Sequence, residues 1–376
     1  MTTGTTGSIP TSMLTPTQTK TADTRRAVSL IARVVGKGCN LRCIYCWSRH
    51  FDQSLLETMP FEVAEKLIKD ASRLDQPVYS FVWLGGEPIL AGMDFFRHIL
   101  DYQRRYLNNR LVRNKVQTNG LALDDEWIRF LLDSSFKIGI SIDGPKDIQD
   151  YYRVDAENKG SFDRVFHNIK KCQEAGLKFG VIATITDISV SQPERIFDFF
   201  VSNNIKGFGL NFAHEMDNGQ LLPFSVTADQ YAEFMTRIFD RWLEANDPRI
   251  RIREIDNLIA GLLGGRPKTC SFNGSCGNFF SVDVNGDVLP CERFATAAPF
   301  GNLMDSSIQA CLSSRGYQQH NQEVSCLPRA CLRCQWLNVC HGGCAHYRNG
   351  NKPVFCAGNR RLLQHIVNRL TTLTKS

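Results

Sequence analysis

Apolar and polar positions come in alternating blocks along most of the chain. Ala27–Val35 (AVSLIARVV) is a β-branched run long enough for a buried strand. Pro60 then opens a helix-period segment to about Leu74, with proline at a first turn where its missing N–H costs nothing. The alternation continues with strand Val78–Leu84, helix Asp94–Tyr106, strand Leu111–Thr118, helix Asp125–Leu132 and strand Phe136–Ile142. It goes on with helix Phe162–Ala175, strand Lys178–Thr186, helix Pro193–Asn203 and strand Gly207–Phe212. Strands alternating with helices of this length predict βαβ units and a parallel sheet. Six such strands fit an α/β fold, a partial (β/α)6 TIM-like barrel with its active site at the carboxyl ends of the strands.

After a helical bridge (Ala228–Ala245, then Ile255–Leu263) the periodicity fades. Residues 264–360 hold ten of the fourteen cysteines and five prolines. A module of this kind needs metal for cohesion. The expected organisation is a disordered Thr-rich tail (1–26), a barrel (27–250), a bridge with a cysteine-rich module (251–365) and a second tail (366–376). The main boundary falls near 250–265.

Composition narrows the classes. With 43% apolar and 22% charged residues, the 376-residue chain is neither collagen-like, coiled-coil nor wholly disordered. The net charge of +6 is spread without a basic block, so nucleic acid is not implied. Runs such as Leu258–Leu263 are too short to cross a bilayer, and the first 24 residues, with ten Thr, lack the apolar region of a secretory signal. A cytoplasmic location is expected. There cysteines point to metal or catalysis rather than disulfides.

Cys39-Asn-Leu-Arg-Cys43-Ile-Tyr-Cys46 follows the first strand as a CxxxCxxC loop. Spacing alone admits an iron–sulfur cluster or, with His50 as a fourth ligand, zinc. This loop, with Tyr45 before its last cysteine, resembles the signature of radical S-adenosylmethionine (SAM) enzymes. Three later segments, each after a strand, strengthen the likeness: Gly85-Gly86-Glu87-Pro88, Gln117-Thr118-Asn119-Gly120 and Ser141-Ile142-Asp143-Gly144-Pro145. The resemblance implies a 4Fe–4S cluster on Cys39, Cys43 and Cys46 with one iron open to SAM. It also implies cofactor contacts from Tyr45, Gly85, Gly86, Glu87, Gln117, Asn119, Ser141, Asp143 and Arg153. In that reading Glu87 accepts from the SAM ammonium, while Ser141, Asp143 and Arg153 face the ribose hydroxyls and the carboxylate. One-electron cleavage of SAM would give a 5′-deoxyadenosyl radical that takes a hydrogen atom from substrate.

The remaining spacing is Cys270-x5-Cys276-x14-Cys291, then Cys331-x2-Cys334-x5-Cys340-x3-Cys344, then Cys356. Two zinc ribbons are the plain alternative. The array resembles the SPASM module of radical SAM peptide-modifying enzymes, and anaerobic sulfatase-maturating enzymes most of all. That likeness implies two auxiliary 4Fe–4S clusters, making three in all. Cys270, Cys276, Cys291 and Cys344 would hold the first; Cys331, Cys334, Cys340 and Cys356 the second. Cys172, Cys311 and Cys326 are left as ordinary thiols. Glu292, where sulfatase maturases carry aspartate, is the candidate catalytic base, against a surface ion pair with Arg293.

Leu84 replaces a substrate-contacting glutamine of those enzymes, and Trp47-Ser48 lacks their tyrosine. The expected substrate is therefore a ribosomally made peptide. Hydrogen abstraction from a side-chain β-carbon would lead to a cyclophane or thioether crosslink. Sulfatase maturation (Ser or Cys to formylglycine) and a non-catalytic zinc adaptor are the alternatives. His214 and Glu215, after the sixth strand, would reach the barrel mouth, with a solvated loop as the plainer expectation. Expected partners are a peptide or protein substrate and an external flavodoxin- or ferredoxin-type reductant, with no nucleic acid or membrane, and the chain a monomer.

Overall fold

The computed structural model describes residues 28–50, 56–134, 136–294, 297–349 and 352–373. The Thr-rich tail expected at 1–26 lies outside the described residues.

Six parallel strands form the barrel: β1 (Ser29–Arg33), β2 (Tyr79–Leu84), β3 (Val112–Thr118), β4 (Phe136–Ser141), β5 (Phe179–Ile185) and β6 (Gly207–Phe212). Between them run α1 (Phe61–Ala71), α2 (Met93–Tyr106), α3 (Asp125–Asp133), α4 (Lys146–Tyr152), α5 (Phe162–Glu174) and α6 (Pro193–Ser202). Period two decides which residues face which layer. Tyr79, Phe81 and Trp83 of β2 are buried on the helix side, where Trp83 meets Phe95 of α2 edge-on at 6.4 Å. The alternate residues face the barrel interior. Register places Arg33 beside Leu84, Val82 beside Lys115, and Gln117 beside Gly139.

Past β6 come a hairpin of β7 (Met216–Asp217) and β8 (Gln220–Leu221), then α7 (Ala228–Ala245), β9 (Arg251–Ile252) and α8 (Arg253–Leu262). A Thr227–Gln230 capping box starts α7. β9 extends the sheet in parallel at β6. The C-terminal module opens with α9 (Cys270–Asn273), followed by β10 (Phe279–Val282), β11 (Asp287–Leu289) and β12 (Gly301–Asn302). β10 pairs in parallel with β1, Ser29 opposite Phe279, so one ten-stranded sheet runs through both halves of the chain. The break expected near 250–265 does not divide that sheet.

Short helices α10 (Ile308–Cys311), α11 (Arg315–Ser325), α12 (Arg329–Leu332) and α13 (Leu337–Cys340) and a small ladder of β13 (Arg348–Asn349) and β14 (Lys352–Pro353) lead to α14 (Cys356–Leu373). A tail was expected from 366, but the helix continues to Leu373. It buries Leu362, Leu363 and Ile366, and Tyr231 of α7 donates to Asn359 at 2.7 Å. Among the described residues no helix is long and apolar enough to cross a membrane.

Candidate active site

The first cysteine loop leaves β1 and is held from two sides. Gly86 N donates to Gly36 O and Glu87 N to Gly38 O, both at 2.9 Å. On the other flank Arg42 N donates to Val154 O (2.7 Å) and Ile44 N to Tyr152 O (3.0 Å). The short helix α4, which sequence periodicity misses, therefore supports the loop. Burial, with a smaller push from the Glu87 charge, raises the Cys39 thiol to about 12. Burial raises Cys43 to about 12 as well, against the pull of Arg153, and Cys39 and Cys46 add their charge. Three half-buried thiols brought together on one loop are a donor set that a positively charged iron group would satisfy. Among the described residues no three His, Cys, Asp or Glu are arranged to hold a single metal ion.

The geometry changes the parts expected of two acids. Asp143 is 2% exposed and its carboxylate is fully engaged. Arg153 donates through Nε (2.9 Å) and Nη2 (3.1 Å), Tyr45 through its hydroxyl (2.5 Å) and Thr184 through its backbone N–H (2.8 Å). Instead of facing ribose hydroxyls, Asp143 is a buried post on which Arg153 and Tyr45 stand. The Arg153 guanidinium also lies 5.4 Å from the Tyr45 ring centroid. Burial opposes its charge, but Asp143, Tyr45 and Cys43 together raise its pKa.

Glu87 is likewise enclosed. It accepts from Thr118 Oγ1 and Asn119 N, each at 2.6 Å, and from Ile89 N at 3.3 Å. Its carboxylate thus ties the end of β2 to the end of β3 rather than lying open for an ammonium group. Burial pushes its pKa up to about 7, against those donors. The role of Gly86 also shifts: a Cβ there would lie 1.8 Å from Gly38 O, so the missing side chain admits the cysteine loop. Gln117 donates to Ser141 Oγ at 3.1 Å, and Asn119 Nδ2 reaches Asn40 Oδ1 (2.7 Å) and Cys39 Sγ (3.7 Å). Apart from Arg153, which caps α4, these cofactor candidates lie at the carboxyl ends of β1–β4 or in the loops that follow.

The eight C-terminal thiols fall into two sets by the charges they feel. Cys276 feels Cys344 and Cys270, Cys291 feels Cys276 and Cys344, and Cys270 feels Cys344. Cys331 feels Cys356 and Cys334, while Cys340 feels Cys356 and Cys331. The second set also lines one cavity of about 370 Å³, with Trp336 and Leu363 in its wall. Room bounded by four thiols fits a multi-atom cluster. Burial raises Cys276 and Cys291 to about 12 and Cys340 to about 11. Of the leftover cysteines, Cys172 and Cys311 are buried and Cys326 is exposed.

Glu292 begins a 3-10 turn directly after Cys291. Arg293 Nη1 donates to Tyr347 Oη at 2.6 Å. Burial opposes the Arg293 charge, and Tyr347, Glu292, Cys344 and Glu215 raise its pKa. The loop after β6 is packed rather than solvated. His214 stands edge-on to Phe355 (5.3 Å) and Tyr347 (6.0 Å), with Nδ1 3.0 Å from Val226 O.

Sequence reasoning passes over Arg33, Lys115 and Arg253. Charged residues at alternate positions of a central strand, Arg113 and Lys115 in β3, were the available signal of a polar interior.

The profile of the Radical SAM superfamily matches residues 34–200, and that of the SPASM iron–sulfur cluster-binding domain matches 270–335. The chain is a radical SAM enzyme with a C-terminal SPASM domain. Among its relatives is the cysteine-type anaerobic sulfatase-maturating enzyme of Clostridium novyi (strain NT), 27% identical over 369 residues, 93% of this chain and 98% of that one. The serine-type enzyme of Bacteroides thetaiotaomicron is also 27% identical, over 90% of this chain and 89% of its own. The structure of native anSMEcpe with bound AdoMet and the Cp18Cys peptide superimposes with a TM-score of 0.85 at 26% identity, covering 93% of this chain and 99% of that chain. SuiB of Streptococcus suis shares the fold, with a TM-score of 0.63 at 16% identity over 88% of this chain and 76% of that one.

Proposed function

We propose that this enzyme oxidises the β-carbon of a Ser or Cys residue in a peptide segment to an aldehyde, as in sulfatase maturation. The likeness over nearly the full length of both cysteine- and serine-type maturating enzymes is the observation that carries this reading. The crosslink that the sequence suggested first gains no support from these relatives. Cys39, Cys43 and Cys46 would hold the SAM-binding 4Fe–4S cluster, and the two C-terminal sets would hold two auxiliary clusters.

When bound, SAM and these clusters supply the one-electron chemistry: cleavage to methionine and a 5′-deoxyadenosyl radical, abstraction of the β-hydrogen, and uptake of the electron left on carbon. The protein residues do the rest. Asp143 joins Arg153 to Tyr45 of the cysteine loop, and Gln117, Asn119 and Ser141 present polar groups at the same rim. Glu292 would accept the proton released from the substrate hydroxyl or thiol as the carbon–heteroatom double bond forms. A serine would give the aldehyde directly. A cysteine would give a thioaldehyde, which water converts to the aldehyde with release of hydrogen sulfide. The electron taken up from carbon equals the one spent in cleavage, so an external one-electron reductant would serve to prime the enzyme. Leu84, where maturases carry glutamine, suggests that the residues flanking the target differ from those in a sulfatase.

The test is anaerobic incubation of cluster-loaded enzyme, SAM and dithionite with Ser- and Cys-containing peptides. Expected is a carbonyl-reactive product, and for serine a loss of two hydrogens. Glu292→Gln should form 5′-deoxyadenosine without that product. Loss of two hydrogens with no carbonyl reactivity would replace this reading with the crosslink.

A further inference from the structure

On the interior face of the barrel, reachable by solvent, lies a group of cations that the reading above does not use. β3 places Lys115 on that face, one layer below Gln117, and Lys137 of β4 is its register neighbour. Arg253, the first residue of α8, enters the same interior over Gly209 of β6; a Cβ on that glycine would lie 2.8 Å from the guanidinium carbon. Gly139 makes similar room for Gln117, whose Oε1 would be 2.2 Å from such a Cβ. Two glycines thus clear space for two long polar side chains.

Arg253 is held in place. Its Nε donates to Glu254 Oε1 and its Nη2 to Asn211 Oδ1, both at 2.7 Å. Glu254 is buried and also accepts from Leu210 N at 2.8 Å. Lys115 has no carboxylate partner among the described residues. Burial and the like charge of Arg253 pull its pKa down. Gln117 Oε1 is buried with no hydrogen-bond partner. Among the described residues Glu254 is the acid that pairs with Arg253, and Lys115, exposed to the barrel interior with Lys137 beside it in register, adds positive charge without a carboxylate of its own. Arg253 also lowers the pKa of Cys270, and Gln117 bonds Ser141. The group thus stands between the proposed SAM residues and the first auxiliary thiol set.

We propose that Lys115 and Arg253 form a carboxylate subsite that binds an acidic group of the peptide substrate. A guanidinium fixed by Glu254 and Asn211 and an exposed ammonium on the same interior face suit a carboxylate, with charge-assisted hydrogen bonds from both. The carboxylate belongs either to an Asp or Glu near the modified residue or to the peptide C-terminus. This inference rests on the peptide-oxidation reading only in taking the ligand to be a peptide.

The experiment reads binding to the cluster-loaded, SAM-saturated full chain by anisotropy of labelled peptides. One set places Asp, Asn or Lys in turn at each position flanking a single Ser or Cys; another compares a free C-terminus with its amide. Expected is a preference of about tenfold for one carboxylate form, and the set showing it identifies the source. Lys115→Gln should remove the preference, and Lys115→Glu should turn it toward the Lys peptide. Equal affinities within both sets, or an undiminished preference in Lys115→Gln, would overturn the proposal. So would a fall in SAM affinity in the same variant, which would assign the cation to the SAM carboxylate. A peptide that binds with this preference yet yields no aldehyde would strike the oxidation reading and leave the subsite standing.

Discussion

Replacing Gly86 with alanine tests the claim that the cysteine loop and the end of β2 are fitted backbone to backbone. The new Cβ would sit 1.8 Å from Gly38 O and 2.4 Å from Gly38 C, where ordinary contact begins at 3.4 Å. Both colliding atoms are main chain, so no rotamer can relieve the clash, and the loop must retreat by about 1.6 Å (3.4 less 1.8). That displacement strains the bonds from Gly86 N to Gly36 O and from Glu87 N to Gly38 O. Overpacking of roughly 1–3 kcal/mol and two hydrogen bonds of about 1 kcal/mol each give a loss of about 3–5 kcal/mol. At roughly 2–4 °C per kcal/mol, the melting temperature should fall by about 6–20 °C. The assay is anaerobic melting of reconstituted enzyme, paired with 5′-deoxyadenosine formed per chain, which should be lost. Gly207→Ala is the control, since nothing lies within 4 Å of the position its methyl group would take and its effect should stay within about 1 kcal/mol. A Gly86→Ala enzyme that melts with the wild type and still cleaves SAM would refute the fitted-backbone account.

Three other changes bear on the site. Asp143→Asn leaves the Arg153 guanidinium buried without its charge partner and should cost about 3–5 kcal/mol in denaturant melts; Asp143→Asn with Arg153→Met should recover part of that loss. With its pKa raised to about 7, Glu87 favours the fold when protonated, so its contribution is complete below the ordinary carboxylate range and lost as pH rises through about 7. In SAM-free protein, Glu87→Gln should flatten that part of the melting-temperature profile, and an unchanged slope would assign the pH dependence elsewhere. Replacing Cys39, Cys43 and Cys46 together with alanine should abolish SAM cleavage but leave roughly eight iron atoms per chain in the two C-terminal sets. Loss of all iron would show that the sites do not form independently.

The barrel strands were legible because parallel strands covered by helices are written as short apolar runs, and Gly207–Phe212 was read to the residue. The thiol sets were legible through spacing. The helix α4 was not: its seven residues follow Pro145 with too little apolar repetition to mark a face. The helix α14 escaped because it starts on Cys356 and shows a narrow stripe (Leu362, Leu363, Ile366) flanked by Arg360 and Arg361. Asp143 and Glu87 were found by type and place, but their partners come from β5, the residue that caps α4, and β3, and no local pattern announces hydrogen bonds made across elements.

The pairing of β1 with β10 has a consequence for how the protein is made. Ser29 meets Phe279 only after 250 further residues have left the ribosome, roughly 12–50 s at ordinary elongation rates. Throughout that interval the nascent barrel presents an open strand edge next to its unliganded cysteine loop, a template for unwanted association. Expression of the N-terminal half alone should therefore yield insoluble material, and cluster insertion in the cell is best timed to the release of the finished chain.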